Sequence, residues 1–297
     1  MKKQNFITIG TFDGVHTGHR FLFGRLEALA AQHRQKPLIL YFPLPPKTLL
    51  SNTPQMTVLS SPGEKKRALA ACGTPAIPLD FQAYKNLSAT DFFELLRTKY
   101  NMGGLLVGAD FAFGKNRQGD AALLRTLCTQ AEIPFEIAPF HKTGTEKISS
   151  SLLRKVLASG DIERTNALLG RPYEVTGRVV KGHRLGRKLG FPTANLDTGI
   201  YKILPLGVFA VRVRVGRSYY HGFCNIGFRP TVNPIDAALP LIEVHIFDFK
   251  QSIYGRNLTI WFVDKLRDEM KFNGLDALVA QLKQDRQNAQ ALLSACR

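Results

Sequence analysis

The sequence predicts two domains of different class. The first is an α/β domain with a parallel, Rossmann-like sheet. The second is a small antiparallel β-barrel that closes with a helix. Three observations predict this. Apolar runs alternate with helical patterns in the first half. Short alternating strands separated by turn residues fill the second half. The chain has 297 residues, close to two domains at roughly 150 residues each. The expected domains are 1–165 and 172–297, because a helix-like stretch ends at Leu169-Gly170-Arg171-Pro172.

The elements follow in order. Phe6–Ile9 reads as a short buried strand and Arg20–His33 as a helix with Leu22, Leu26, Leu29 and Ala30 on one face. Pro37–Phe42 is a second strand, stopped by Pro43, Pro45 and Pro46. Glu64–Ala71 is a helix and Ala76–Leu79 a weak strand. Ser88 caps a helix running through Leu96. Leu105–Gly108 is a strand, Ala121–Ala131 a helix and Phe135–Ala138 a strand. Helices should cover both faces of this sheet. In the second half Glu174–Val180, Val208–Val215, Tyr220–Ile226, Ile242–Phe247 and Thr259–Val263 read as strands, and Leu275–Leu293 as a helix.

Composition excludes several classes. A hydrophobic share of 44% with 21% charged residues is that of a folded globular chain, not a disordered or collagen-like one. The cysteines Cys72, Cys128, Cys224 and Cys296 form no C-x-x-C pair, which argues against a zinc knuckle or redox pair and for reduced thiols. Phe6–Ile9 is too short for a signal core, and no apolar run approaches the ~20 residues of a membrane span. The expected place is the cytoplasm. The net charge of +17 favours an anionic partner. Residues 171–217 hold 10 basic and 2 acidic residues. A solvated barrel face and a binding surface fit that count equally, and the glycine spacing in the same stretch favours binding.

The first strand runs into Gly10-Thr11-Phe12-Asp13-Gly14-Val15-His16-Thr17-Gly18-His19, and a helix follows. Glycines at 10, 14 and 18 permit close backbone approach, and a helix N-terminus attracts an anion. Two histidines there can donate to phosphate oxygens, where charge builds in a transfer reaction. A helix cap, an incidental pair or an incomplete metal site are the alternatives. The position at the end of strand one favours phosphate. Farther along, Lys147-Ile148-Ser149-Ser150-Ser151-Leu152-Leu153-Arg154 offers hydroxyls and two cations to a triphosphate. Between them, Asp110, Phe111, Phe113 and Arg117 follow a buried strand, a set suited to a flat aromatic ligand bearing a phosphate.

In the second half, Gly182-His183-Arg184-Leu185-Gly186-Arg187-Lys188-Leu189-Gly190-Phe191-Pro192-Thr193-Ala194-Asn195 combines glycines with cations. Thr193 and Asn195 are two apart, so on extended backbone they face one side, where oxygens can reach Mg²⁺ and phosphate. The order is not that of a Walker A loop. Glu243 and His245 alternate with Ile242, Val244 and Ile246. A solvent-facing strand side and a general base describe Glu243 equally well from spacing.

The runs G-T-F-D-G-V-H-x-G-H, V-G-x-D-F-x-F-G-x-x-R-x-G and I-S-S-S-x-x-R resemble the adenylyltransferase half of the bacterial bifunctional riboflavin kinase/FMN adenylyltransferase family. G-R-x-L-G-F-P-T-A-N-L, Asn225–Thr231, Glu243-Val244-His245, Ile253-Tyr254-Gly255 and Leu266-Arg267-Asp268-Glu269 resemble its riboflavin kinase domain, in order. The resemblance implies conversion of riboflavin to FMN with ATP, and of FMN to FAD with a second ATP, using Mg²⁺. It implies that His16 and His19 hold ATP phosphates, with Gly10, Phe12, Asp13, Gly18, Ser149, Ser150 and Arg154 around the same nucleotide. Asp110, Phe111 and Arg117 would lie near the flavin. In the kinase half, Gly182, Gly186, Thr193 and Asn195 would bind Mg-ATP, with Thr193 and Asn195 toward the metal. Glu243 would deprotonate the ribityl hydroxyl and Arg267 would help hold the flavin. The partners implied are flavins and ATP, with no stable nucleic acid and no membrane.

One departure stands out. The family's Pro-His-Pro after the second strand is here Phe42-Pro43-Leu44-Pro45-Pro46, which implies weaker or altered adenylylation and leaves a kinase with an impaired second half as an alternative. Two rivals remain. A tRNA-acting ligase of the same superfamily also carries H-x-G-H and K-x-S-S-S, but no anticodon-binding helical domain follows. A nucleic-acid-binding barrel without catalysis would interleave aromatics with cations, whereas Arg212 and Arg214 alternate with valines.

Overall fold

The computed structural model describes residues 3–50, 58–144, 146–182, 185–199, 202–228 and 240–295. The chain divides into two compact units, one of residues 1–53 with 61–150 and the other of 54–60 with 151–297.

The first unit holds the strands β1 (Asn5–Gly10), β2 (Lys36–Tyr41), β3 (Ala76–Pro78), β4 (Met102–Gly108) and β5 (Phe135–Ala138). They form one parallel sheet in the order β3-β2-β1-β4-β5. Its helices are α1 (Thr17–Gln32), α2 (Pro46–Leu50), α3 (Pro62–Ala70), α4 (Phe81–Tyr84), α5 (Ala89–Lys99) and α6 (Ala121–Gln130). A short hairpin, β6 (Lys142–Thr143) with β7 (Glu146–Lys147), precedes α7 (Ser150–Ala158). Strand side chains alternate between two cores. Ile7, Ile9, Leu105 and Val107 pack with Phe92, Phe93 and Leu96 of α5 and Leu124 and Cys128 of α6. Phe6, Ile39 and Leu106 pack with Phe23, Leu26 and Leu29 of α1 and Leu69 of α3 on the other side. A sheet covered on both faces reads as continuous apolar runs, which is why these strands were legible. Ser88 caps α5, accepting from the Asp91 N–H at 3.0 Å. Pro46, expected only to stop a strand, also opens α2, since proline fits the first helical turn.

The second unit contains α8 (Ile162–Leu169), then β8 (Glu174–Val180), α9 (Leu185–Lys188), β9 (Thr193–Asp197), β10 (Gly207–Val215), β11 (Ser218–Gly227), β12 (Leu241–Ile246), β13 (Asn257–Arg267) and α10 (Leu275–Ala295). Six antiparallel strands close a barrel in the order β10-β11-β12-β9-β8-β13. The expected strands are present, and β9 is a sixth, beginning within the glycine- and cation-rich stretch 182–195. Val175, Val211, Val213, Val244, Ile260 and Phe262 are fully buried. Outside the barrel, Ala289 and Leu293 of α10 pack on Val208, Ala210, Phe223 and Phe247. The fully buried stripe of α10 is Asp285, Ala289 and Leu293, four residues apart, with Leu282 and Leu292 packed partly buried beside it. Asp285 is 1% exposed as a side chain and receives the Arg267 guanidinium, Nε at 2.9 Å and Nη2 at 2.7 Å. Gln281 Nε2 donates to the same carboxylate at 2.8 Å. Removing one member of a buried charge pair strands the other. Asp285→Asn should therefore destabilise the barrel by roughly 3 kcal/mol, measured as a shift of the denaturant midpoint, while Asn288→Ala on the exposed side of α10 should leave the midpoint in place.

Candidate functional site

In the first unit, connectivity reverses between β1 and β4, the position where open α/β sheets bind ligands. β1 ends at Gly10 and β4 at Gly108. The loop after β1 is tightly packed: Phe12 is 5% exposed, Asp13 2%, Val15 0% and His16 3%. Phe12, Gly14 and Val15 all have positive φ, and for β-branched Val15 that conformation is strained by about 1–3 kcal/mol. A Cβ on Gly10 would lie 2.7 Å from the Phe12 ring. The missing side chain of Gly10 makes room for that ring. The Phe12 ring meets Phe23 edge-on at 5.0 Å in the core and His19 edge-on at 5.2 Å.

His16 is the N-cap of α1, its Nδ1 accepting from the His19 N–H at 3.3 Å. The cap reading and the phosphate reading are thus compatible. With Nδ1 accepting, a neutral ring carries its proton on Nε2 and offers a donor there. The His16 and His19 rings stack with centroids 3.6 Å apart. Ser150 Oγ donates to the Asp13 carbonyl at 2.9 Å across 137 residues, and a Cβ on Gly18 would lie 3.4 Å from the Ile148 carbonyl. The two segments expected to grip a triphosphate do meet. Arg154 stands one turn beyond Ser150 on α7.

Lys147 Nζ lies 3.7 Å from Asp110 Oδ2 and 3.3 Å from the centroid of the Phe140 ring. Phe111 stacks on buried Phe113 at 5.8 Å. Arg117 is exposed on a separate loop, closed by paired main-chain hydrogen bonds between Phe113 and Gly119, both 2.9 Å. Where the family's histidine is missing, Lys65 donates to the Phe42 carbonyl at 2.9 Å, its side chain fully buried. Sequence reasoning missed Lys65, because Glu64-Lys65-Lys66-Arg67 looks like any solvated charge run.

In the second unit the strands β9 and β12 pair so that Asn195 faces Glu243 and Thr193 faces His245. Directly opposed residues hold their Cβ atoms about 4.5–5.5 Å apart. On the other side of β12, Asn225 of β11 also faces Glu243. The half-buried Glu243 carboxylate therefore sits between two asparagines. A Cβ on Gly182 would overlap the Asn195 amide, and one on Gly186 would overlap the Phe191 carbonyl, so both glycines are required by close approach. His183 and Arg184 of the same run lie outside the described residues, as do Arg229–Thr231 and Cys296.

The Asn195 Oδ1 is buried and lacks a hydrogen-bond partner. A hard oxygen of this kind beside Thr193 fits Mg²⁺. Among the described residues no group of three His, Cys, Asp or Glu could hold a metal, so a cation here would take most of its ligands from phosphate and water. A cavity of about 440 Å³ opens beside Thr193, with Val179, Ala194, Val244 and Ile246 as apolar wall and Arg187 and Lys250 as cations. Residues 249–254 line its other side, of which only Ile253 and Tyr254 belong to a motif read from the sequence. Arg267 is engaged by Asp285 and by the Asp268 carbonyl, the latter at 2.9 Å from Nη1, so its guanidinium is held rigidly. Cations and aromatics do interleave on the barrel, but across strands: Arg214 lies 5.5 Å over Trp261, on which Tyr219 stacks at 6.0 Å. A single-strand reading could not find that arrangement.

His245 is buried, and Nδ1 donates to the Pro192 carbonyl at 2.9 Å. Burial holds its pKa below the ordinary histidine value, with Arg286 pushing the same way and the Pro192 bond and Asp248 opposing.

A doubly wound sheet with a histidine pair at its switch point, joined in one chain to a barrel carrying a threonine, an asparagine and a carboxylate on one face, defines a two-unit nucleotide-dependent transferase. The family model described as FAD synthetase matches residues 1–152, and that described as riboflavin kinase matches 169–293. The bifunctional riboflavin kinase/FMN adenylyltransferase of Bacillus subtilis is 33% identical over 96% of this chain and 92% of its own. Its Escherichia coli K12 counterpart is 35% identical over 95% and 91%. A Streptococcus pneumoniae crystal structure described as a macrolide-efflux protein superposes with a TM-score of 0.84 at 30% identity, over 98% of this chain and 95% of that one. Among the described residues no helix is long and apolar enough to cross a membrane. The chain belongs to the bifunctional riboflavin kinase/FMN adenylyltransferase family.

The depressed pKa of His245 gives a signed pH dependence. Below the ordinary value of 6.5 the unfolded chain binds a proton that the folded barrel refuses, so stability falls with falling pH. This contribution is complete above 6.5 and is lost toward the lower folded-state value. Thermal melts between pH 7.5 and 5 should show a decline in the barrel transition that is shallower in His245→Asn.

Proposed function

We propose that the C-terminal stretch 172–297, which holds the barrel, phosphorylates riboflavin to FMN and that the N-terminal stretch 1–165, which holds the parallel sheet, adenylylates FMN to FAD, each with its own ATP. The observation that carries the kinase assignment is the pairing of Glu243 with Asn195 across β12 and β9. In the barrel, the Glu243 carboxylate takes the proton of the ribityl 5′-hydroxyl. The hydroxyl oxygen then bonds to the γ-phosphorus as the bond to the ADP oxygen breaks. Thr193 and Asn195 hold the triphosphate and would ligate Mg²⁺, which when bound offsets charge on the phosphate oxygens. Gly182 and Gly186 let the chain come close, and the cavity beside Thr193 suits the adenine. Arg267, fixed by Asp285, borders the flavin.

In the α/β unit, a phosphate oxygen of FMN bonds to the α-phosphorus of ATP and pyrophosphate leaves. No protein nucleophile is needed, so the work is positioning and electrostatics. His16 and His19 donate to the phosphates, Ser149 closes on them, and Ser150 fastens its segment to Asp13. Main chain at Gly10, Phe12 and Gly18 borders the nucleotide, while Asp110, Phe111 and Arg117 border FMN. Without the histidine of Pro-His-Pro, this half is expected to be the slower. Cys128 is raised to about 11 by burial and Cys224 is also buried and raised. Such inert thiols suit a reducing cytoplasm.

Purified protein incubated with riboflavin, ATP and Mg²⁺, with products separated by chromatography, should yield FMN first and FAD later. Binding of single-stranded RNA without binding of riboflavin would overturn the assignment. Glu243→Gln should lower FMN formation by about 10²–10⁴-fold while leaving FAD formation from supplied FMN intact. His19→Ala should do the reverse, reducing FAD formation about 10²–10³-fold with riboflavin phosphorylation unchanged. A variant that loses both activities together has lost its fold.

A further inference from the structure

The established chemistry leaves one buried group on the Glu243 face unused. His245 stands next to Glu243 on the same face of β12 and directly opposite Thr193 on β9. At that rung the β9–β12 ladder ends. The next residue, Pro192, has no N–H, and its carbonyl is met by a side chain, His245 Nδ1, at 2.9 Å. Only a donor can meet a carbonyl, so Nδ1 carries the proton and Nε2 keeps a lone pair.

Nε2 is itself buried and has no hydrogen-bond partner. Around the ring stand Phe223 at 5.1 Å, Phe191 at 5.3 Å and Phe247 at 5.9 Å. An imidazole aimed at proton transfer would need a polar path from Nε2, and these three rings supply none. The same imidazole touches the loop entering β9 twice, at the Pro192 carbonyl and at the Phe191 ring. The Phe191 N–H in turn bonds the Gly186 carbonyl at 2.8 Å, closing the Gly186–Phe191 turn.

We propose that His245 is a positioning residue for the kinase reaction: by holding the Pro192 carbonyl it fixes where Thr193 and Asn195 present their oxygens to the triphosphate of ATP. The proposal rests on the kinase reading above. It assigns His245 a role in nucleotide binding, without contact to the reacting atoms.

Three substitutions separate this role from others. Asparagine places its amide N–H where Nδ1 stands, glutamine places it where Nε2 stands, and leucine removes the donor. For each variant, KM for ATP, KM for riboflavin and kcat are measured for FMN formation, with FAD formation from supplied FMN as an internal control in the same chain. Mg-ADP binding is read by titration calorimetry. His245→Asn should keep KM for ATP within about twofold, whereas His245→Leu and His245→Gln should raise it roughly tenfold to a hundredfold. Mg-ADP binding should weaken in parallel, and FAD formation should not change. A glutamine variant equal to the asparagine variant overturns the proposal. So does a leucine variant with unaltered KM for ATP, or an equal loss of kcat in all three. If His245→Leu does not fold, the asparagine–glutamine pair decides alone. A wild-type chain that makes no FMN would refute the kinase reading itself, and Mg-ADP affinities of the variants would still test the bracket.

Discussion

The register between β9 and β12 is the constraint on which the kinase half depends. Side chains along a strand alternate between faces, so a slip of one residue would send Glu243, Asn195 and Thr193 to the inside of the barrel. Closure fixes the register, because β12 is also bound by β11 and β9 by β8. The apolar partners Ile242, Val244 and Ala194 face inward and penalise any slip. The reactive face is thus held by the core behind it, and the barrel is a device for keeping one carboxylate beside two oxygen donors.

The α/β half reaches the same end by strain and close packing. Phe12 and Val15 take a left-handed backbone on either side of Asp13 and Gly14, and they keep it because both are buried. The resulting loop delivers His16 to the start of α1, where its ring replaces the usual hydroxyl or carboxylate cap. One side chain then terminates the helix and presents a proton donor. The Ser150–Asp13 bond adds the distant segment to the same place. Both halves put the groups proposed for catalysis on main chain that other residues immobilise.

Much of this was legible in the sequence, and the unread parts share a cause. Element type in the sheet was plain because both faces of β1, β2 and β4 are covered and their apolar runs are continuous. The pairs His16/His19 and Thr193/Asn195 were legible because they are local, three and two residues apart. The pairing of Glu243 with Asn195 and Asn225 was not, since register across strands is set by closure rather than by neighbours in the chain. That the Phe12 ring fills the space Gly10 leaves was not legible either, because nothing in the sequence pairs the two. Lys65 and Asp285 were passed over as surface charge. The Phe42 carbonyl and Arg267 help account for their burial, and those partners are remote in sequence.

The residues 54–60 belong to the barrel's unit although they interrupt the α/β unit. Val58 is 1% exposed and pairs with Lys202, and its carbonyl accepts from the Ile203 N–H at 3.0 Å. No single cut can therefore part the enzyme into two self-sufficient pieces. A fragment ending near 150 would carry Val58 away from Lys202 and Ile203, and the complementary fragment would lack the partner of both. Dissecting the two activities calls for point substitutions, or for supplying 54–60 a second time ahead of the barrel.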